Sequence, residues 1–532
     1  MGVDEGTTTD PHGHEAHEPE SAPSLTTYGL TPDIASPTED EPAGDDAAVA
    51  APRAGFIARI VADPMWVLGL VILVDETDKN IVRGLIPQLK AEFGVGDLGI
   101  GVLLSLALLF NGIITVPAGY LADRWNRTRA MGKTVVGWSA LSAAGAASIG
   151  FPMLVAFRSA LGFGQAITEP SAASLIGDYY PPDQRGRAFS IQQVMLLGGT
   201  GLGVGLGGLI GTTLGWRPAL VIVAIPGVLV ALLVFKLREP KRGTADLMAA
   251  IGAGSIEHSD GDEAKLFEHG FGQFCKDMID GLRADMRTIL NIRTMRYALV
   301  GVAALLFTIT AIAAWLPQFY ERQLYLPEGR GEGLFFFLVV LGGVPGVLMG
   351  GRIADKYAPR ITGGRLALPA IFLFAGTALF TTSYLIHGHR IVASTGARTY
   401  SLTAVIPCFL LQLAALFVVT LAIPGLRAGL TDAIPAHLRG TGFGAFNLVS
   451  VIFGAAAAPF IVGALSSFYD DNLRVAFLLV SPFSFFGAIV LYRARKYLDE
   501  DMQKIMMAVL QAMQDERDRA EAGAAAPDPS SP

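Results

Sequence analysis

Runs of about 20 apolar residues recur along this chain from Pro64 to Lys496, and no other feature of the sequence restricts its fold as tightly. An α-helix of that length crosses a ~30 Å hydrocarbon layer with every backbone N–H and C=O paired inside the segment. Twelve such helices need roughly 240 positions. The chain has 532 residues, 52% of them hydrophobic and only 16% charged, which a soluble enzyme at about 25% charge does not match. Its formal net charge of −7 misleads about the whole, because residues 1–52 hold 12 Asp/Glu and no Lys or Arg, leaving 35 acids against all 40 bases in the body. Such an acidic stretch among Pro, Thr, Ser and Ala reads as a disordered tail.

The runs fall near 64–88, 99–123, 130–150, 152–178, 188–213, 216–237, 294–319, 332–356, 364–387, 402–432, 440–467 and 473–497, which predicts twelve transmembrane helices in an all-α membrane protein. Basic residues crowd alternate loops: Arg124, Arg127 and Arg129 after the second run, Arg185 and Arg187 after the fourth, Lys236 to Arg242 after the sixth. Arg352, Lys356, Arg360, Arg439, Arg493, Arg495 and Lys496 continue the pattern, so both termini are expected in the cytoplasm. The first 30 residues hold no basic segment followed by an apolar core, so the first membrane helix is expected to direct insertion. Five segments follow: a disordered acidic tail at 1–54, a six-helix bundle at 55–237, a linker with an amphipathic helix at 238–293, a second six-helix bundle at 294–497, and an amphipathic helix with a disordered tail at 498–532. In the linker, Phe267, Phe271, Phe274, Met278, Leu282, Met286 and Ile289 recur at helical spacing, giving a face suited either to the membrane interface or to packing under the bundles.

A weak internal repeat supports the division. Gly119-Tyr120-Leu121-Ala122-Asp123-Arg124-Trp125 recurs as Gly351-Arg352-Ile353-Ala354-Asp355-Lys356-Tyr357, and Arg185-Gly186-Arg187-Ala188-Phe189 as Arg439-Gly440-Thr441-Gly442-Phe443, in the same order. Two pseudo-symmetric six-helix bundles, and the Gly-x-x-x-Asp-Arg turn, resemble the major facilitator superfamily of transporters. That resemblance implies that Gly119, Asp123, Arg124, Arg127, Asp355 and Lys356 form a latch at the cytoplasmic face, although simple loop capping would use the same residues.

The most informative charges lie where the membrane should be. Asp75, Glu76, Asp78, Lys79 and Arg83 interrupt the first run at about mid-depth, where each lipid-facing charge costs roughly 2.5–3.5 kcal/mol. They must therefore face protein or water. Asp75 and Lys79 are spaced to pair at i,i+4, which fits either a structural ion-pair ladder or a cavity site for a polar headgroup or a proton. In the fourth run Arg158, Gly162, Gln165 and Glu169 share one stripe, with Arg158 open to an interfacial reading and Glu169 expected as a buried carboxylate whose proton affinity rises with burial and falls beside a guanidinium. The fifth run holds Gly199, Gly201, Gly203, Gly207 and Gly208, which suit close helix packing or a moving gate. No phosphate-cradling loop, metal constellation or Ser-His-Asp set is present, so no cofactor, metal, nucleic acid or enzymatic chemistry is expected. Cys275 and Cys408 make no disulfide framework.

Within the superfamily the chain resembles the Spinster branch, associated with lysophospholipid and sphingoid-lipid transport. The resemblance rests on Asp78-Lys79-Asn80 with Gly84-Leu85, Arg158 with Gly162-Phe163-Gly164, the Gly199–Gly208 run with Gly215-Trp216-Arg217, Arg238-Glu239-Pro240, Trp315-Leu316-Pro317, and Pro459 with Gly463. It implies a monomeric secondary transporter in the plasma or inner membrane that moves a lipid or other amphiphile by alternating access, coupled to protons, with membrane lipids as surroundings. Where the branch carries Glu, this chain has Gln165, and Glu169 is expected to substitute. A drug or sugar carrier of the same superfamily is the rival; a non-transporting receptor or scaffold is the alternative of another class.

Overall fold

The computed structural model describes residues 63–122, 126–180, 182–240, 271–388, 390–392, 398–400, 402–433 and 446–524. The acidic tail, Asp123, Arg124, the Arg439 motif and most of the non-helical linker lie outside them. The first half contains α1 (Pro64–Gly84), the short α2 (Ile86–Phe93), α3 (Asp97–Ala122), α4 (Arg127–Gly145), α5 (Phe151–Gln165), α6 (Thr168–Tyr179), α7 (Pro182–Leu214) and α8 (Trp216–Val234). After the linker helix α9 (Phe271–Asn291) come α10 (Arg293–Gln323), α11 (Arg330–Leu338), α12 (Val344–Tyr357), α13 (Gly364–Tyr384), α14 (Leu402–Ala433), α15 (Ala457–Phe468) and α16 (Leu473–Ala524). Each predicted run has a helical counterpart. Among the described residues nine helical stretches are long and apolar enough to cross a membrane. The remaining runs fall short because α1 carries its charges, α4 is polar, and the fourth run is broken into α5 and α6.

Local chemistry explains the ends. Asp63 caps α1 by accepting the Met65 N–H at 3.0 Å, and Pro64 takes the first helical position, where its missing N–H costs nothing. Gly215, at φ 92°, makes the sharp turn into Trp216 that a side chain would resist. Prolines explain the interruptions: Pro170, Pro345 and Pro459 each follow, by about one turn, the break at 166–167, the π-helical turn Val339–Gly343 and the π-helical turn Val451–Ala456. A proline ring collides with the carbonyl four residues earlier, so the helix breaks or widens there.

The outer surface is apolar. Ile225, Leu229 and Leu232 on α8, each more than half exposed, recur at helical spacing on a face that water would penalise and lipid accepts. Helices of each half pack mainly on one another, α1 on α7 and α4 on α8, α13 on α14 and α10 on α16; the halves meet where α3 runs against α15 and α7 against α11. Glycine sets the α1–α7 distance: a methyl on Gly199 or Gly203 would sit 2.5 Å from the carbonyl oxygen of Leu73 or Thr77. Gly207 meets Ile81 in the same way, one turn on.

The fold is all-α as expected, with one short addition in the loop before α14: β1 (Arg390–Val392) and β2 (Arg398–Tyr400) pair antiparallel with Ile391 opposite Thr399, a pairing that β-branched and aromatic residues favour. One expectation changes: α16 does not stop near Lys496. It is 52 residues long in all and continues to Ala524, held by Asp501, which accepts the Thr294 N–H at 2.9 Å and hydroxyl at 2.7 Å. In the linker, α9 is helical over Phe271–Asn291, with Ile289 of its last turn buried and Ile279 exposed, while Phe267 of the expected face lies outside the described residues.

Candidate functional site

Asp78 lies near the middle of α1, fully buried, pointing at α4 and α5. Its carboxylate accepts the Ser142 hydroxyl and the Gln165 amide at 3.2 Å, while the Arg158 guanidinium stands 3.6 Å away. Arg158 also donates to the Asp78 carbonyl oxygen at 2.5 Å and to Ser142 at 3.4 Å. The cluster thus combines one acid, one base, one hydroxyl and one amide, each 5% exposed or less. Taking one partner from a buried ion pair costs about 3–5 kcal/mol, so changing the charge of Asp78 must alter what Arg158 holds. Arg158 is no interfacial residue, because its head group faces the bundle interior.

The other charges of α1 form a separate network on its α7 side. Lys79 bonds Asp75 at 2.6 Å and Glu76 at 3.0 Å, which is the expected pairing, and Asn80 donates to Glu76 at 3.2 Å. Arg83, one turn after Lys79, bonds Asn80. One oxygen of Asp75 and the Arg83 Nε are buried with no hydrogen-bond partner among the described residues.

Glu169 is not where the stripe placed it. It is 68% exposed and faces Arg427 of α14 at 3.9 Å, across the seam between halves. The reason is the break ahead of Pro170, which turns the stripe: Arg158 and Gln165 precede it and reach Asp78, Gly162 backs onto the Asn111 backbone of α3, and Glu169 follows it and is carried elsewhere. Two further polar clusters lie elsewhere: one around Asp97, which sequence reasoning missed, and one around Arg127, which it expected in the latch. Asp97, fully buried at the start of α3, accepts Arg322 of α10 at 2.5 and 2.9 Å, Ser466 of α15 at 2.7 Å and Lys90 of α2 at 2.9 Å. Around it pack Gly463, Trp315 and, through the Trp315 bond to its carbonyl at 3.1 Å, Pro459. At the opposite end Arg127, fully buried, bonds Asp178, Glu239 at 2.7 Å, Ser174 at 2.7 Å and the Pro240 carbonyl at 3.1 Å. Gly119 belongs to α3, while Asp355 and Lys356 are exposed at the end of α12. Ser142 gave no signal, being one serine among several in a small-residue helix, whereas Asp97 bordered an apolar run and could have been flagged.

The chain matches the family model of the Major Facilitator Superfamily over residues 68–457. It belongs to that superfamily. This superfamily member is a membrane transporter rather than an enzyme, and its relatives include Spinster proteins. Protein spinster homolog 1 of Bos taurus is 27% identical over 401 residues, 70% of this chain and 71% of the relative. Protein spinster of Drosophila melanogaster is 24% identical over 438 residues, 80% and 65% of the two chains. A probable L-galactonate transporter of Escherichia coli (strain K12) is 24% identical over 306 residues, 57% and 63%. The fold matches a bacterial homolog of the human lysosomal transporter Spinster, inward-facing and unoccupied, with TM-score 0.60 and 19% identity over 84% of this chain and 98% of that one. It also matches a D-xylose-proton symporter, with TM-score 0.56 and 15% identity over 80% and 96%.

Proposed function

We propose that this transporter moves an amphiphile with a polar headgroup, of lysophospholipid type, by alternating access coupled to protons. The observation that carries the reading is the fully buried Asp78 with Arg158 at 3.6 Å, close enough to feel the carboxylate yet bonded to its backbone. A proton on Asp78 cancels the charge that holds Arg158, and a released guanidinium is free to take an anionic headgroup. Beside this cluster the surroundings are mixed. Glu76 and Lys79 are partly exposed, while Phe336 of α11 and Val339 of the π-helical turn after it stand against Gly201, and Phe336 also against Gly205, on the other edge of α7. Polar and aromatic surfaces together suit an amphiphile.

In this reading both termini lie in the cytoplasm of a plasma or inner membrane, the protein acts as a monomer, and the Asp97 cluster closes the outer end while the Arg127 cluster braces the inner latch. Glycines 199, 201, 203, 207 and 208 carry the sliding of α7 between α1 and α11. The test is flux into liposomes under an imposed pH gradient, with lysophospholipid, sugar and drug substrates side by side. Lysophospholipid uptake that follows the gradient, and loses its pH dependence in Asp78→Asn, is the expected result. Unchanged pH dependence in that variant removes the coupling site; gradient-driven sugar flux alone supports the sugar carrier; no flux with any substrate supports a receptor or scaffold.

A further inference from the structure

Glu332 is fully buried in the first turn of α11, and its Oε2 has no hydrogen-bond donor among the described residues. Its Oε1 takes the Gln318 amide at 3.4 Å, with the backbone N–H groups of Gly329 and of Glu332 itself beside the carboxyl. Within hydrogen-bonding reach is the carboxyl of Glu321, at the end of α10, which itself accepts the Gly329 N–H at 2.8 Å. Across the seam Gly208 of α7 leaves the space this pair fills, since a methyl there would sit 2.6 Å from the Glu332 Cβ.

Among the described residues the surroundings supply no counter-charge to spare. On α10, Arg322 is held by Asp97; on α2, Lys90 is shared by Asp97 and Asp471; on α1, Arg83 bonds Asn80. Arg330 is exposed on the same turn and has a partner of its own. Glu328, bonded to Gln88 of α2, adds negative charge, and α7 brings only Gly208 and Thr212. Two adjacent carboxylates in such a place cannot both stay ionised, and a proton is the one donor that satisfies the orphaned oxygen.

We propose that Glu321 and Glu332 share a bound proton at the seam between the halves, forming a second proton site distinct from Asp78. With the proton in place the pair carries one negative charge instead of two and α11 lies closed on α7. Losing it to water puts two like charges side by side and favours separation of the halves there.

Infrared difference spectra of the full-length protein in lipid bilayers, recorded through a pH titration, test this. The wild type is expected to show a protonated-carboxyl stretching band that disappears in Glu332→Gln and in Glu321→Gln but persists in Asp78→Asn. Glutamine keeps the size and neutrality of the protonated acid, and either variant suffices if the other fails to fold. A protonated-carboxyl spectrum unaltered by these substitutions overturns the proposal. Because no transport is measured, that failure is separate from any failure of the Asp78 reading.

Discussion

Arg322 at the end of α10 donates both terminal nitrogens to Asp97 at the start of α3, at 2.5 and 2.9 Å, and so ties the second half of the molecule to the first. Asp97 is fully buried and its other partners, Lys90 and Ser466, come from both sides of the seam. Bidentate pairing and burial make this contact worth far more than a surface ion pair. Replacing Asp97 by Asn removes the charge that Arg322 and Lys90 share, and should lower the ratio of closed to open forms at this end at least tenfold, a change of about 1.4 kcal/mol. Spin labels on cysteines at Leu98 and Tyr469, both exposed and flanking the seam, should then report a second, longer distance population. A single unchanged distribution would show that the pair does not hold the seam.

The glycines of α7 should not be equivalent. A methyl at Gly203 meets the Thr77 carbonyl at 2.5 Å, one at Gly205 meets Phe336 at 3.2 Å, and one at Gly201 meets Phe336 and Val339 at 3.4 Å. Backbone cannot yield as a side chain can. Gly203→Ala should therefore lose about 1–3 kcal/mol through overpacking, Gly205→Ala less, and Gly201→Ala almost nothing. Thermal unfolding of the purified variants in detergent gives the ranking, and equal losses at all three positions would contradict it.

Gln165 offers its amide to Asp78 at 3.2 Å, in the position where the Spinster pattern carries Glu. Gln165→Glu replaces that donor with a second carboxyl, and two carboxyls at that separation compete for one proton. If protonation of this cluster drives transport, the pH of half-maximal flux should rise by about one unit or more in the variant. A profile that stays in place would mean that the cluster does not take up the coupled proton.

How the sequence encodes these features depends on how far apart the partners lie. Helix positions follow from runs of apolar residues, each read within its own 20 or so neighbours. The i,i+4 contact of Lys79 with Asp75 was legible for the same reason. Ser142 and Arg158 reach Asp78 from 64 and 80 residues away, and Arg322 reaches Asp97 from 225, distances that only packing can close. Glu169 shows the subtler failure: the helical stripe from Arg158 to Glu169 runs across the break at 166–167, which Pro170, about one turn on, signals. The carboxylates of Glu321 and Glu332 lie on different helices and gave no periodic signal, so their meeting appears only in three dimensions.

Asp501 ties the extension of α16 to the start of α10. One of its oxygens accepts both the N–H and the hydroxyl of Thr294, at 2.9 and 2.7 Å, and both residues are buried. Thr294 lies in the first turn of α10, where backbone N–H groups have no partner inside the helix, so Asp501 does from a distance what a capping side chain does locally. Losing such a cap costs about 0.5–2 kcal/mol. Asp501→Ala should accordingly lower the unfolding temperature by a few degrees and speed hydrogen exchange at residues 294–297, while Asp501→Asn, which keeps an acceptor oxygen, should recover part of the loss. Neither variant touches the cluster around Asp78, so the pH dependence of transport should be unchanged in both. An exchange pattern identical to wild type in Asp501→Ala would mean that α16 is held by its apolar contacts alone.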